Sequence, residues 1–149
     1  MEKVRRPMSI LGEGSVVGAR PAWSQGDDNT MQYMVLIYES EQERADAPPA
    51  AASEKIDEAY MEYTRQMAAA GVLRGGEALK PISTATTVRV RSGKVTTFDG
   101  PFAETKEQLA GFYLIEVATL DEAIKWASKC PTAPTGSIEV RPVLPIPSE

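Results

Sequence analysis

The chain has 149 residues, 16 basic and 21 acidic side chains, a formal net charge of −5, one cysteine and no histidine. That length fits one domain with a tail, and an acidic chain without a basic cluster is poorly suited to nucleic-acid backbone or an anionic membrane. The lack of histidine excludes a Ser-His-Asp triad, a Cys-His pair and a zinc site of the usual kind, leaving carboxylates, Lys, Tyr, Cys or a bound cofactor for any catalysis.

Residues 1–30 are punctuated by Pro7, Gly12, Gly14, Gly18, Pro21 and Gly26 and sustain no period. They are read as an extension, disordered or loosely extended, ahead of a domain spanning 31–149. Arg5 and Arg6 are followed by no continuous apolar run, which argues against a secretory signal. The apolar residues 32–39 predict a strand covered on both faces. Residues 40–52 read as a loop. Ser53 is placed to cap a helix, with Glu54 near its positive end. Ile56, Ala59, Tyr60, Tyr63, Met67 and Ala70 share one face of that helix, and Gly71 ends it. Residues 72–79 form a short strand whose Gly75-Gly76 pair suggests a bulge or a close backbone approach.

Residues 86–91 and 94–98 flank Ser92-Gly93, a two-residue hairpin turn. The stretch 98–107 follows. It is too long for an ordinary turn and combines an Asp-Gly-Pro corner, Phe98, Phe102 and four ionisable side chains, as function-bearing loops do. Residues 112–117 predict another buried strand. Thr119 and Glu122 make a capping box for a helix expected to bury Leu120, Ala123, Ile124 and Ala127 and to stop by Pro131. Cys130, at its end, has no histidine neighbour in sequence and reads as structural. A single cysteine forms no internal disulfide, which fits a reducing cytoplasm. Residues 137–143 alternate apolar and polar, so the last strand has a wet face or lies at an edge. No apolar run is long enough to span a bilayer.

This order describes an α+β domain: a ferredoxin-like antiparallel sheet with two helices on one face and an added β-hairpin. Its second face would be bare, yet the strands are too apolar for a face left in water. A homodimer packed sheet against sheet is therefore expected.

Residues 71–79, 86–90, 99–106, 111–117 and 138–142 together resemble the DGPF subgroup of the YCII-related family. The resemblance implies a ferredoxin-like dimeric α/β barrel, a small cytoplasmic protein, and a cleft between sheet and loops. It also implies a link to extracytoplasmic-function sigma factors, beside or fused to which some relatives lie. Most of that family has no assigned reaction. In better-studied branches, a few of which act on chlorinated aromatics, a His-Asp pair is the suggested active centre. That pair cannot be carried over to a chain without histidine, and Asp99 is the carboxylate that remains.

Each candidate residue has two readings. Asp99 is a turn residue bonding nearby backbone N–H groups, or a general acid or base held at a strand end. Glu104, Lys106 and Glu107 are a solvated ion-pair cluster, or Lys106 binds an anionic group that Glu104 orients. Thr105 and Gln108 have capping spacing, suggesting a short helical turn whose amides hold an anion. Glu77 lines a pocket or guards an edge strand against aggregation. Tyr38, Tyr60, Tyr63 and Tyr113 are core residues with a hydroxyl at the rim, or one or two of them line an aromatic-walled cleft with Asp99 and Glu77 as its polar points; Tyr38, Phe102 and Tyr113 are the aromatic candidates for ligand binding. No metal motif is present and no cofactor is expected. The function is either a small-ligand-binding or regulatory module, or a cofactor-free enzyme acting on a small organic molecule, aromatic or not, with Asp99 as general acid or base.

Overall fold

The computed structural model describes residues 29–47 and 51–147, so the extension expected over 1–30 lies outside the described residues but for its last two. The elements are β1 (Met31–Glu39), α1 (Glu41–Asp46), α2 (Ala51–Ala69), β2 (Leu73–Ala78), a 3₁₀ turn (Ile82–Thr84), β3 (Thr86–Arg91), β4 (Lys94–Asp99), β5 (Gln108–Val117), α3 (Leu120–Ser128) and β6 (Ser137–Pro142). β2, β5, β1 and β6 form one sheet in that order, with antiparallel neighbours throughout. β3 and β4 pair only with each other.

Strand alternation decides where the core lies. Tyr33, Val35 and Ile37 of β1 are buried, and so are Tyr113, Ile115 and Val117 of β5. They meet Tyr63 and Met67 of α2, Ala123 and Ala127 of α3, and Cys130, in one apolar cluster. Both long helices therefore cover the same face. Met34 and Leu36 of β1 and Phe112 and Leu114 of β5 turn to the opposite face and are half-buried.

Local chemistry sets the helix ends. Gly71 has φ of 72°, Val72 N–H donates to Met67 C=O and Gly71 N–H donates to Ala68 C=O, the two bonds of a Schellman stop. On α3, Glu122 N–H donates to Thr119 Oγ1 and Ala118 N–H donates to Glu122 Oε2, which closes the capping box. The hairpin turn places both Ser92 (φ 51°) and Gly93 (φ 73°) at positive φ, as a two-residue turn between twisted strands requires. The Gly75-Gly76 pair serves both expected purposes. The ladder slips between Leu73 and Gly75. A Cβ on Gly76 would also lie 2.6 Å from the Tyr113 ring.

The structure corrects three expectations. Residues 40–52 are not a loop throughout, because Ser40 Oγ accepts the Glu43 N–H and starts α1. Ser53 does not cap α2, because the strongly helix-forming alanines before it carry the helix back to Ala51. Leu120 and Ile124 stay 48% and 47% exposed. On α3 the buried arc runs through Ala123, Ala127 and the half-buried Trp126, small residues seating the helix closely, and this turns Leu120 and Ile124 to its flank.

Candidate functional site

Residues directly opposite each other in an antiparallel pair share a face. The registers therefore draw the open face as rows across all four strands. One row is Glu77, Phe112, Leu36 and Glu139, and the next is Gly75, Leu114, Met34 and Arg141. The centre is apolar and the polar groups stand at the two edge strands. On the β6 side, Tyr38 Oη donates to Glu139 Oε1 at 3.3 Å, and Arg141 Nε donates to Glu139 Oε2 at 3.2 Å. On the β2 side, Glu77 is half-buried and makes no side-chain hydrogen bond or ion pair among the described residues. Beyond the second row, Glu116 is buried on β5 and held by Arg74, whose Nε donates to Oε2 at 2.9 Å.

The long loop after the hairpin is fixed at both ends. Gly100 N–H donates to Ala85 C=O at 2.7 Å and Thr87 Oγ1 donates to Gly100 C=O at 2.8 Å. At the other end, Glu41 N–H donates to Gln108 Oε1 and Ser137 Oγ donates to Glu107 Oε1. Glu41 also accepts the Ile82 N–H. Between these anchors Phe102 is 75% exposed, and Glu104 and Lys106 face solvent without an ion pair among the described residues. Asp99 ends β4 exposed, its carboxylate unbonded among the described residues. The helical turn expected at Thr105 and Gln108 is replaced by the start of β5. Thr105 Oγ1 and Gln108 Nε2 donate to the carbonyls of Glu107 and Thr105, so neither caps amides that could hold an anion.

Tyr113 lies on the helix-covered face. It is 3% exposed, shares a hydrogen bond with Thr64 Oγ1 at 2.9 Å, and meets the Tyr63 ring edge to face at 5.4 Å. The structure thus brings Tyr38 and Glu77 onto one face, sets Tyr113 on the other, and leaves Asp99, Phe102, Glu104 and Lys106 on the hairpin and its loop. Glu139 and Arg141, which the sequence reading passed over, join Tyr38. The alternation of residues 137–143 was the signal, since it puts both on the side away from the helices.

Tyr113 belongs to a buried polar set. Tyr63 Oη donates to Trp126 C=O at 2.7 Å, and Tyr60 Oη lies 3.4 Å from Cys130 Sγ and also bonds Thr132. Burial pushes the hydroxyls of Tyr60, Tyr63 and Tyr113 and the Cys130 thiol up from their ordinary values. The folded state thus keeps protons that the unfolded chain releases above about pH 8.5 for a thiol and 10 for a phenol. This stabilisation is complete below those values and is progressively lost as pH rises from them toward the raised values of the folded state. The urea midpoint is expected to fall steeply between pH 8 and pH 11, less steeply in Tyr60→Phe. An unchanged midpoint at pH 11 would contradict the burial of these groups.

Among the described residues, no group of three or more His, Cys, Asp or Glu side chains could hold a metal ion, and no helix is long and apolar enough to cross a membrane. The YCII-related domain matches residues 31–147. An uncharacterised protein of Rhizobium meliloti (strain 1021) is 43% identical over 119 residues, which cover 76% of this chain and 92% of that protein. The motifs on the strands and the loop, and the match across the whole described fold, agree on one assignment: the chain belongs to the YCII-related domain family.

Proposed function

We propose that the chain is a homodimeric, cytoplasmic module of the DGPF subgroup that binds a small organic ligand over the open face of its sheet and acts as a regulator. The observation that carries this reading is the row Glu77–Phe112–Leu36–Glu139, an apolar floor between polar edges on the face away from both long helices. An apolar floor with a few fixed polar groups is the usual make-up of a small-molecule site. Glu77 would accept a donor from the ligand, and Tyr38, held by Glu139, would offer a ring to its body. The strand order β2-β5-β1-β6, with both long helices on one face, supports a ferredoxin-like fold of the dimeric α/β-barrel kind. The half-buried Met34, Leu36, Phe112 and Leu114 support pairing of two copies over the open face, with the ligand enclosed between the paired sheets. A link to a sigma factor is what the DGPF resemblance adds.

The enzyme reading has less support. A general base benefits from a shielded, positioned carboxylate. Asp99 stands in water on a different sheet from Glu77 and Tyr38.

A thermal-shift screen of the full chain against small metabolites tests the proposal. A ligand at about 100 times its dissociation constant adds about 2.7 kcal/mol, a shift of several degrees. The expected hits lose most of their shift in Glu77→Gln and keep it in Asp99→Asn. Hits indifferent to Glu77→Gln, or none at all, would remove the open face as a site. Turnover of a hit that drops by ~10²–10⁴ in Asp99→Asn would instead favour the enzyme.

A further inference from the structure

Among the described residues, the β3–β4 hairpin has no cover. Opposite pairing places Thr86, Val88, Val90, Val95, Thr97 and Asp99 on one of its faces. Val88, Val90 and Val95 there are 60%, 55% and 63% exposed. The other face carries Arg89, Arg91 and Lys94, none of which forms an ion pair among the described residues. A two-stranded hairpin is marginal on its own in water, and a soluble chain does not ordinarily leave a row of β-branched side chains bare on both of its strands.

We propose that this hairpin is an arm that docks, by its valine face, onto a second copy of this chain. Three observations select that occupant. The first is charge: Arg89, Arg91 and Lys94 stand on the face away from the valines, so they stay in water when the valine face docks and locally offset the repulsion between two copies of net charge −5. The second is surface supply. Each copy also leaves an apolar sheet face half-buried, centred on Met34, Leu36, Phe112 and Leu114, so two copies already have an apolar contact that the valines extend at its border. The third is area. A stable interface needs about 800 Å² per partner, more than a hairpin of two six-residue strands provides, so the arm serves as the continuation of a sheet-to-sheet contact. The docked arm carries Asp99, on the same face as the valines, from open water to the surface of the second copy. The inference rests on the homodimer reading and adds to it the element that clasps the partner.

Sedimentation velocity on the full chain tests it, with Val90→Glu and Leu36→Glu alongside; a dimer of the first would carry one new carboxylate on each arm. Because Val90 is 55% exposed in one copy and Val95 opposite it stays apolar, the replacement should leave the thermal unfolding of the single chain unchanged. The expected result is a micromolar dimer whose dissociation constant rises at least ~10-fold in the hairpin variant, since docking would bury two unpaired carboxylates. Hydrogen exchange over residues 86–99 should be slow in the dimer and fast in that variant. A hairpin variant that dimerises like wild type, with Leu36→Glu monomeric, overturns the arm and leaves the open-face contact standing. The reverse pattern keeps the arm and removes the open-face contact. A monomeric wild type removes both.

Discussion

Replacing Tyr113 by alanine is expected to lower folding stability by about 3–5 kcal/mol, the cost of a large side chain cut from a packed core. Tyr113 is 3% exposed, leans on Tyr63, and is so closely backed by Gly76 that a Cβ there would collide with its ring. Tyr113→Phe keeps the ring and loses only the bond to Thr64, so it should cost about 1 kcal/mol. Urea unfolding of the two variants separates a core role from a place in a ligand site. A loss under about 1 kcal/mol in Tyr113→Ala would mean that the ring is not part of the core. A ligand shift kept by Tyr113→Phe would confirm that binding belongs to the other side of the sheet.

The second large effect concerns Arg74 and Glu116. The Glu116 side chain is 7% exposed and that of Arg74 is 37% exposed, with Nη2 2.7 Å from Oε2. Arg74 also donates to the carbonyls of Gly71 and Leu73, so it ties the α2 stop and the start of β2 to β5. Arg74→Met strands a carboxylate away from water. The expected loss is about 2–4 kcal/mol, below the range for a fully buried pair because solvent reaches the guanidinium. Adding Glu116→Leu should recover most of it, since an apolar pair needs no compensation. A double variant as unstable as Arg74→Met alone would show that the arginine acts through its carbonyl bonds instead.

Elements with strong local chemistry were legible in the sequence. Gly71 with its positive φ, the Thr119–Glu122 box and the Ser92-Gly93 turn each name a backbone geometry that few other residues satisfy. Ser40 and Glu43 carried the same capping signal for α1, and the acidic, apolar-poor run around them hid it. The face of a strand is harder to read from a run that is apolar on both sides. In residues 112–117 every position but Glu116 is apolar, so nothing local says that Tyr113 points to the helices while Phe112 and Leu114 point away. Pairing with β1 decides it, and that pairing joins residues far apart in the chain. The candidate site was legible as a list of side chains. Which of them share a face depends on the strand order, so the grouping of Tyr38 with Glu139 and Arg141 came only with the sheet.

The central place of β1 bears on how the protein is made. β1 bonds to β5 on one edge and to β6 on the other, and both lie toward the far end of the chain. During synthesis it is the first described strand to leave the ribosome and the last to gain both neighbours. Until β6 emerges, the apolar run Tyr33-Met34-Val35-Leu36-Ile37-Tyr38 has at least one bare edge, the kind of segment that pairs with other nascent chains. The sheet that gives the protein its open face thus also gives it a long interval in which a chaperone has something to hold.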